Sequence, residues 1–290
     1  MKTDTYQIVT DRIIAKLQGG TIPWKHFASS PLAEPKNLVS KKAYRGINRL
    51  LLSGTKYNSE FWLTYKQAQD LGGNVKAGEK SELVVFWKFL EYEDKESGET
   101  KEFPMLRHYA LFNAEQTEGI DYAKIAKQEP RNSDPIEAAE EIVRNMPNRP
   151  RLVIDKTPKA FYSPTEDYVH MTERSACISD SQYYSTTLHE LAHSTGHASR
   201  LNRFQQDGCT HHFGSKTYAA EELTAEMTAA FLMSECNLFQ ETEENTASYI
   251  ATWLEKLAND NKLVVVAAGK ASKAADYILG NLTQPLPMAA

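Results

Sequence analysis

The stretch His189-Glu190-Leu191-Ala192-His193 decides how the C-terminal half of this chain is read. On a helix, residues four apart project from one face, one turn apart. Both imidazoles can therefore reach a single ion. Glu190 follows the first histidine, where its carboxylate can reach water activated by that ion and act as general base. The residues before it support a helix over about Gln182 to Thr195. Tyr183, Tyr184 and Leu188 are interspersed with polar residues, and no Gly or Pro interrupts them.

Two histidines leave a third protein ligand to be found. His197 lies four beyond His193, but three histidines at helical spacing span about 12 Å. That is too far for one ion unless the helix breaks, so His197 is read as capping the helix end or supporting a ligand from behind. The longer pattern His-Glu-x-x-His-x-x-Gly-x-x-His is met at Gly196 and fails at Ser199. A carboxylate from Tyr218-Ala219-Ala220-Glu221-Glu222-Leu223-Thr224-Ala225-Glu226 remains. Glu222 and Glu226 share a helical face, and Leu223, Met227, Ala230 and Phe231 supply an apolar stripe. Glu222 is taken as the ligand. Glu226 is taken as the acid that hydrogen-bonds a ligand histidine and fixes its tautomer; the reverse assignment stays open. This order resembles the zincin arrangement, in which a Glu ligand is followed four residues later by such an acid. Glu221 is read as solvated, and His211-His212 as an exposed loop pair. Tyr218 and Tyr168 are candidates for stabilising an oxyanion. The expected cofactor is one divalent ion, Zn2+, with Mn2+ as the alternative.

The chain has 290 residues, which favours two domains. An apolar share of 41% and a charged share of 24% are ordinary for a soluble globular protein, and exclude a disordered chain. The longest apolar run, Leu263 to Ala268, is far too short to span a bilayer. The start Met1-Lys2-Thr3-Asp4 lacks an apolar signal-peptide core, so a cytoplasmic location is expected. Cys177, Cys209 and Cys236 are odd in number and widely spaced, which points to neither a disulfide framework nor a thiolate metal site.

The net charge of −5 hides an asymmetry. Residues 1–90 carry 14 Lys/Arg against 7 Asp/Glu, and the remainder carries 19 against 31. In the basic third, cationic and aromatic side chains alternate. Trp24, Lys41, Lys42, Tyr44, Arg45, Trp62, Lys66, Lys76, Lys80 and Trp87 are the candidate nucleic-acid contacts. Aromatic faces stack on unpaired bases and cations track phosphates, so single strands are the expected partner. No helix-turn-helix, zinc-finger or ribonucleoprotein motif points to sequence-specific duplex reading.

Along the chain, residues 5–17 read as an amphipathic helix striped by Ile8, Ile13, Ile14 and Leu17. A helix starts near Asn48, and another, capped by Thr64, runs to Gly72-Gly73. Strands follow at Glu82–Leu90 and Arg107–Asn113, joined by the charged loop Glu91–Glu102. A linker at 126–134, rich in Pro, Asn, Ser and Asp, separates a domain at 1–125 from one at 135–290. The second domain reads as a helix from Pro135 to Asn145 and short strands at Arg151–Asp155, Ala160–Ser163 and Asp167–Met171. The metal helix follows, then helices at Tyr218–Cys236, Glu244–Asn259 and Lys270–Gly280. The fold class is α+β in two domains.

Pro23-Trp24, Pro35-Lys36-Asn37, Tyr44-Arg45-Gly46-Ile47-Asn48, Trp62-Leu63-Thr64-Tyr65-Lys66-Gln67-Ala68, Leu71-Gly72-Gly73, Val75-Lys76-Ala77-Gly78-Glu79-Lys80 and Phe112-Asn113-Ala114-Glu115-Gln116 resemble the N-terminal single-stranded-DNA-binding domain of ArdC-type antirestriction proteins. The segments His189–His197 and Tyr218–Glu226 resemble their metallopeptidase domain. The resemblance implies a mixed α/β DNA-binding domain followed by a zincin-like domain, in a protein of a mobile element such as a conjugative plasmid. It implies protection of incoming DNA from host restriction during conjugation. What the peptidase-type site would cleave is not implied by the resemblance; an unknown protein substrate is expected, with a component of a restriction system as one candidate. Two rivals stand beside this reading: a pure DNA-binding protector whose metal site is structural or vestigial, and a metal-dependent nuclease.

Overall fold

A computed structural model describes residues 4–24, 34–53, 55–93, 100–122, 134–206, 216–238 and 247–282. The chain divides into two compact units, 1–15 with 32–129, and 16–31 with 130–290. Residues 16–31 group with the second unit. The reason is apolar burial: Trp24, with 1% of its surface exposed, packs edge-on against Trp253 at 5.6 Å between ring centroids.

The first unit begins with α1 (Thr5–Gln18), whose last turn counts with the second unit. Val9, Ile13 and Leu17 are its buried stripe, so Val9 takes the place expected of Ile8. The rest is β1 (Lys36–Asn37), α2 (Ile47–Ser53), β2 (Phe61–Leu63), α3 (Tyr65–Asp70), β3 (Asn74–Val75), β4 (Glu82–Glu93), β5 (Thr100–Asn113) and β6 (Thr117–Glu118). One sheet has the order β1-β2-β5-β4; β3 and β6 form a second, small one. Thr64 and Gln67 make a reciprocal capping box that starts α3. Asn48 exchanges two 2.7 Å hydrogen bonds with the backbone of Val85, so its amide acts as a partner for the edge of β4.

β2 is covered on both faces. Phe61 and Leu63 point into one core with Leu38 and Ala68, while Trp62 points into the other with Leu52, Val84 and Leu111. β4 and β5 pair from Glu82↔Leu111 to Glu93↔Thr100. The strands therefore run into the segment expected to be loop. The linker read at 126–134 lies almost wholly outside the described residues, as do His211-His212 and Cys209.

In the second unit, α4 (Pro135–Asn145) starts with Asp134 as N-cap and Pro135 in its first turn. β7 (Arg151–Asp155), β8 (Phe161–Ser163) and β9 (Tyr168–Thr172) form a sheet of order β7-β9-β8, so β8 is an edge. Then come α5 (Asp180–Ser194), α6 (Arg203–Gln206), α7 (Lys216–Glu235), α8 (Ala247–Asn259) and α9 (Leu263–Ile278). α7 is packed between α5 and α9, with Leu223, Met227 and Phe231 fully buried. The apolar run from Leu263 opens α9 rather than preceding a later helix. Ala267, Ala271 and Ala274 are buried there, and such small residues let helices approach closely. No helix among the described residues is long and apolar enough to cross a membrane.

Candidate metal centre and nucleic-acid interface

α5 is started by Ser179, whose hydroxyl accepts from the Gln182 amide at 3.2 Å. Its last carbonyls are also satisfied. Gly196 donates to His193, Arg200 Nε to Ser194, and Arg203 Nη2 to Ala192. Gly196 is required by space: a Cβ there would sit 2.4 Å from the Phe204 ring.

His189 and His193 turn their Nε2 atoms toward each other at 3.1 Å. Glu222, on α7, brings Oε2 to 3.7 Å from His189 Nε2 and Oε1 to 3.5 Å from His193 Nε2. Four donors around an ion at ~2.0–2.1 Å stand about 3.3 Å apart in a tetrahedron. The three contacts bracket that value, and two imidazoles with one carboxylate suit a divalent ion. The residues present fit the group. Burial and the neighbouring His193 push His189 down to about 3, so it is a neutral imidazole with a free lone pair. Burial alone would lower His193, but its bond to Glu221 outweighs that and raises it.

Glu190 is buried beside this set. Burial, reinforced by the charge of Glu222, raises its carboxyl, against His193 and a hydrogen bond from the Tyr162 backbone amide. The Tyr218 hydroxyl, pushed up to about 12 by burial and the nearby carboxylates, donates to Glu222. A cavity of about 290 Å³ opens onto His189, Glu190, His193, Glu222 and Tyr218, and is walled by Phe161, Tyr162, Pro164 and Phe204. Tyr168 does not line it. Its ring lies edge-on to Phe161 and under the Arg151 guanidinium.

One sequence-derived role is corrected. Glu226 does not support a histidine: its Oε2 accepts the Trp24 indole N–H at 2.8 Å and the Tyr249 hydroxyl. His197 sits at the helix end, where its backbone N–H donates to the Ser194 carbonyl at 3.1 Å and its Nδ1 meets the Ser199 hydroxyl at 2.8 Å. The acid behind His193 is Glu221, expected to be solvated. It is buried, 3.3 Å from His193 Nδ1, and gripped by Arg203. Its side was missed because residues 221 and 222 lie only 100° apart on a helix, and sequence alone does not show which faces the histidines. The buried Arg203 and Arg200, three residues apart after the metal helix, were the available signal.

The candidate DNA contacts separate as sharply. Trp24 is buried in the second unit, and Trp62 in the core of the first. Tyr44 is buried too, and its hydroxyl accepts from Asn37 Nδ2 at 3.1 Å. Lys76 donates to the Glu115 carbonyl at 2.8 Å, and Lys41 lies over the Phe61 ring. Lys42, Arg45, Lys66, Lys80 and Trp87 are exposed. The structure adds a face in which Arg107 and Tyr109, absent from the contacts read from the sequence, join Phe86 and Lys88 of the aromatic and basic run Phe86-Trp87-Lys88. Phe86 pairs with Arg107 across the β4–β5 ladder, and Lys88 and Tyr109 lie two residues along on the same face. All four are exposed, and the Phe86 and Tyr109 rings stand 5.5 Å apart. Alternation from the buried Val84 would have placed Phe86 on the continuation of a core face.

The model of the N-terminal domain of the anti-restriction factor ArdC matches residues 3–112, and a zincin-like metallopeptidase model matches residues 137–270. The crystal structure of metal-free antirestriction ArdC from plasmid R388 superposes with a TM-score of 0.77 at 37% identity, over 96% of this chain and 97% of that one. The chain belongs to the ArdC family of antirestriction proteins. The Mn(II)-bound form of the R388 protein matches with a TM-score of 0.76 at 36% identity, over 97% of this chain and 99% of that one. A Sinorhizobium fredii protein, y4eC, is 35% identical over 95% of this chain and 92% of its own length. An Escherichia coli DNA primase, TraC, is 34% identical over 96% of this chain, which spans 20% of that primase. The ArdC match covers both units: an N-terminal mixed α/β domain and a C-terminal zincin-like domain.

Proposed function

We propose that this ArdC-family protein protects incoming DNA by binding it as a single strand on the Phe86–Lys88–Arg107–Tyr109 face. We further propose that His189, His193 and Glu222 hold one divalent ion for peptide-bond hydrolysis. The observation that carries the second part is the convergence of three donors at 3.1–3.7 Å beside a buried carboxylate and an open cavity.

A divalent ion bound there supplies Lewis acidity, lowering the pKa of water and polarising a carbonyl. Glu190, with its carboxyl raised by burial, accepts a proton from the attacking water and returns it to the leaving nitrogen. Tyr218, which lines the cavity, turns its one hydroxyl proton from Glu222 to the developing oxyanion. Zn2+ is the ion favoured by the imidazole-rich donor set; the R388 relative's Mn(II)-bound structure supports manganese as the alternative.

A second reading has its own support. The aromatic and basic face is built from the first unit alone, so protection by DNA binding requires none of the metal residues. Glu190→Gln separates the two. It should keep the ion and the DNA affinity and abolish hydrolysis. Protection of transferred DNA that survives this change assigns protection to the DNA-binding face.

A further inference from the structure

Behind His193 lies a closed ring of hydrogen bonds that the proposed chemistry does not use. Glu221 Oε1 is 3.3 Å from His193 Nδ1. Arg203 grips that carboxylate with two donors, Nη2 to Oε1 at 2.6 Å and Nε to Oε2 at 3.1 Å. The same guanidinium donates to the Ala192 carbonyl at 3.1 Å and to the Thr195 hydroxyl at 2.5 Å. The ring thus leaves α5 at His193, crosses to α7 at Glu221, passes through Arg203 and returns to α5 one residue before His193.

We infer that Arg203 is a positioning residue for the ion: acting through Glu221, it fixes the tautomer and orientation of His193 and locks the two ligand-bearing helices together. A carboxylate only accepts, so the imidazole proton resides on Nδ1 and the Nε2 lone pair faces the ion. Glu221 is buried, and without a cation it would be an uncompensated charge. The planar fork of Arg203 matches its two oxygens and sets its rotamer. Glu222 follows Glu221 directly on α7, so fixing one backbone position fixes the other ligand. Arg203 does not line the cavity, which leaves no contact with substrate to explain it.

The inference rests on the metal-centre reading, and the test separates the two. Zn2+ affinity of the metal-stripped full chain is measured by chelator competition for wild type, Glu221→Gln, Arg203→Lys and the double variant. Melting temperatures and Co2+ absorption spectra are recorded alongside. Loss of such an outer partner typically weakens metal binding 10–100-fold. Glu221→Gln is expected in that range, with Arg203→Lys about tenfold weaker than wild type. Because both act along one chain of contacts, the double variant should bind no more weakly than the weaker single one. The Co2+ spectrum should shift in both single variants. A helix staple alone would lower the melting temperature of Arg203→Lys and leave its ion affinity and spectrum unchanged; that result overturns the inference. So does full additivity in the double variant. Should Arg203→Lys not fold, unchanged affinity in Glu221→Gln overturns it equally. Absence of ion binding by the wild type instead removes the metal-centre reading, and the inference with it.

Discussion

Replacing Trp24 with phenylalanine keeps an aromatic ring against Trp253 but removes the indole N–H that donates to Glu226 Oε2 at 2.8 Å. A hydrogen bond to a charged acceptor contributes about 1.5–3 kcal/mol net. The Tyr249 hydroxyl also donates to that oxygen, so the carboxylate keeps a partner. The loss therefore falls near the lower end, about 1.5 kcal/mol. For a unit of this size, 1 kcal/mol moves the melting temperature by about 2–4 °C, so a fall of about 3–6 °C is expected. Trp24→Ala should cost about 3–5 kcal/mol, because a fully buried ring is lost. The assay is thermal denaturation followed by near-ultraviolet circular dichroism, paired with fluorescence anisotropy on a single-stranded oligonucleotide. DNA affinity should not change, because Trp24 is buried away from solvent in the second unit. An unchanged melting temperature together with a large loss of DNA affinity would refute the reasoning and restore Trp24 as a stacking residue.

Phe86→Ala and Tyr109→Ala should each weaken binding of single strands by about 5- to 150-fold, the equivalent of ~1–3 kcal/mol per stacked base. Arg107→Ala and Lys88→Ala should each reduce the salt slope by ~0.7; equal effects on duplex and single strand would remove the stacking argument. Labelled single-stranded DNA incubated with the protein and Zn2+ or Mn2+ should stay intact, and steady degradation would turn the site into a nuclease. Burial alone would raise the Asp167 carboxyl, but hydrogen bonds from Arg200 and Tyr162 outweigh it and hold the group below its usual value. A carboxyl lowered by folding stabilises above its unfolded pKa of ~3.9 and loses that contribution as pH falls through the folded value. Stability of Asp167→Asn should therefore fall less steeply than wild type below pH ~4 in urea titrations; identical acid limbs would show that the Arg200 pair contributes nothing there.

The features legible in the sequence are local ones. His189 and His193 are related by one helical turn, and Glu190 is placed by adjacency, so five consecutive residues carry most of the candidate metal centre. Thr64 with Gln67, and Asp134 with Pro135, announce helix starts within four residues. The features that stay hidden there depend on contacts distant along the chain. Glu226 is one turn from Glu222 and looks equivalent to it, but its partner is Trp24, 202 residues earlier. Glu221 looks like a solvated neighbour until Arg203, 18 residues earlier, is brought to it. Trp62 and Trp87 both sit among apolar residues. Only the sheet order shows that β2 is covered on both faces, while Trp87 lies on an edge strand at 49% exposure. The pairing of β4 with β5 that makes Phe86 and Tyr109 neighbours joins residues more than twenty positions apart.

A one-ion centre built from His189, His193 and Glu222 can be read by calorimetric titration of the metal-stripped chain with Zn2+. The wild type should take up one ion per chain, Glu222→Gln should lose that binding, and Glu226→Gln should retain it. Retention in Glu222→Gln, or loss confined to Glu226→Gln, would contradict such a centre.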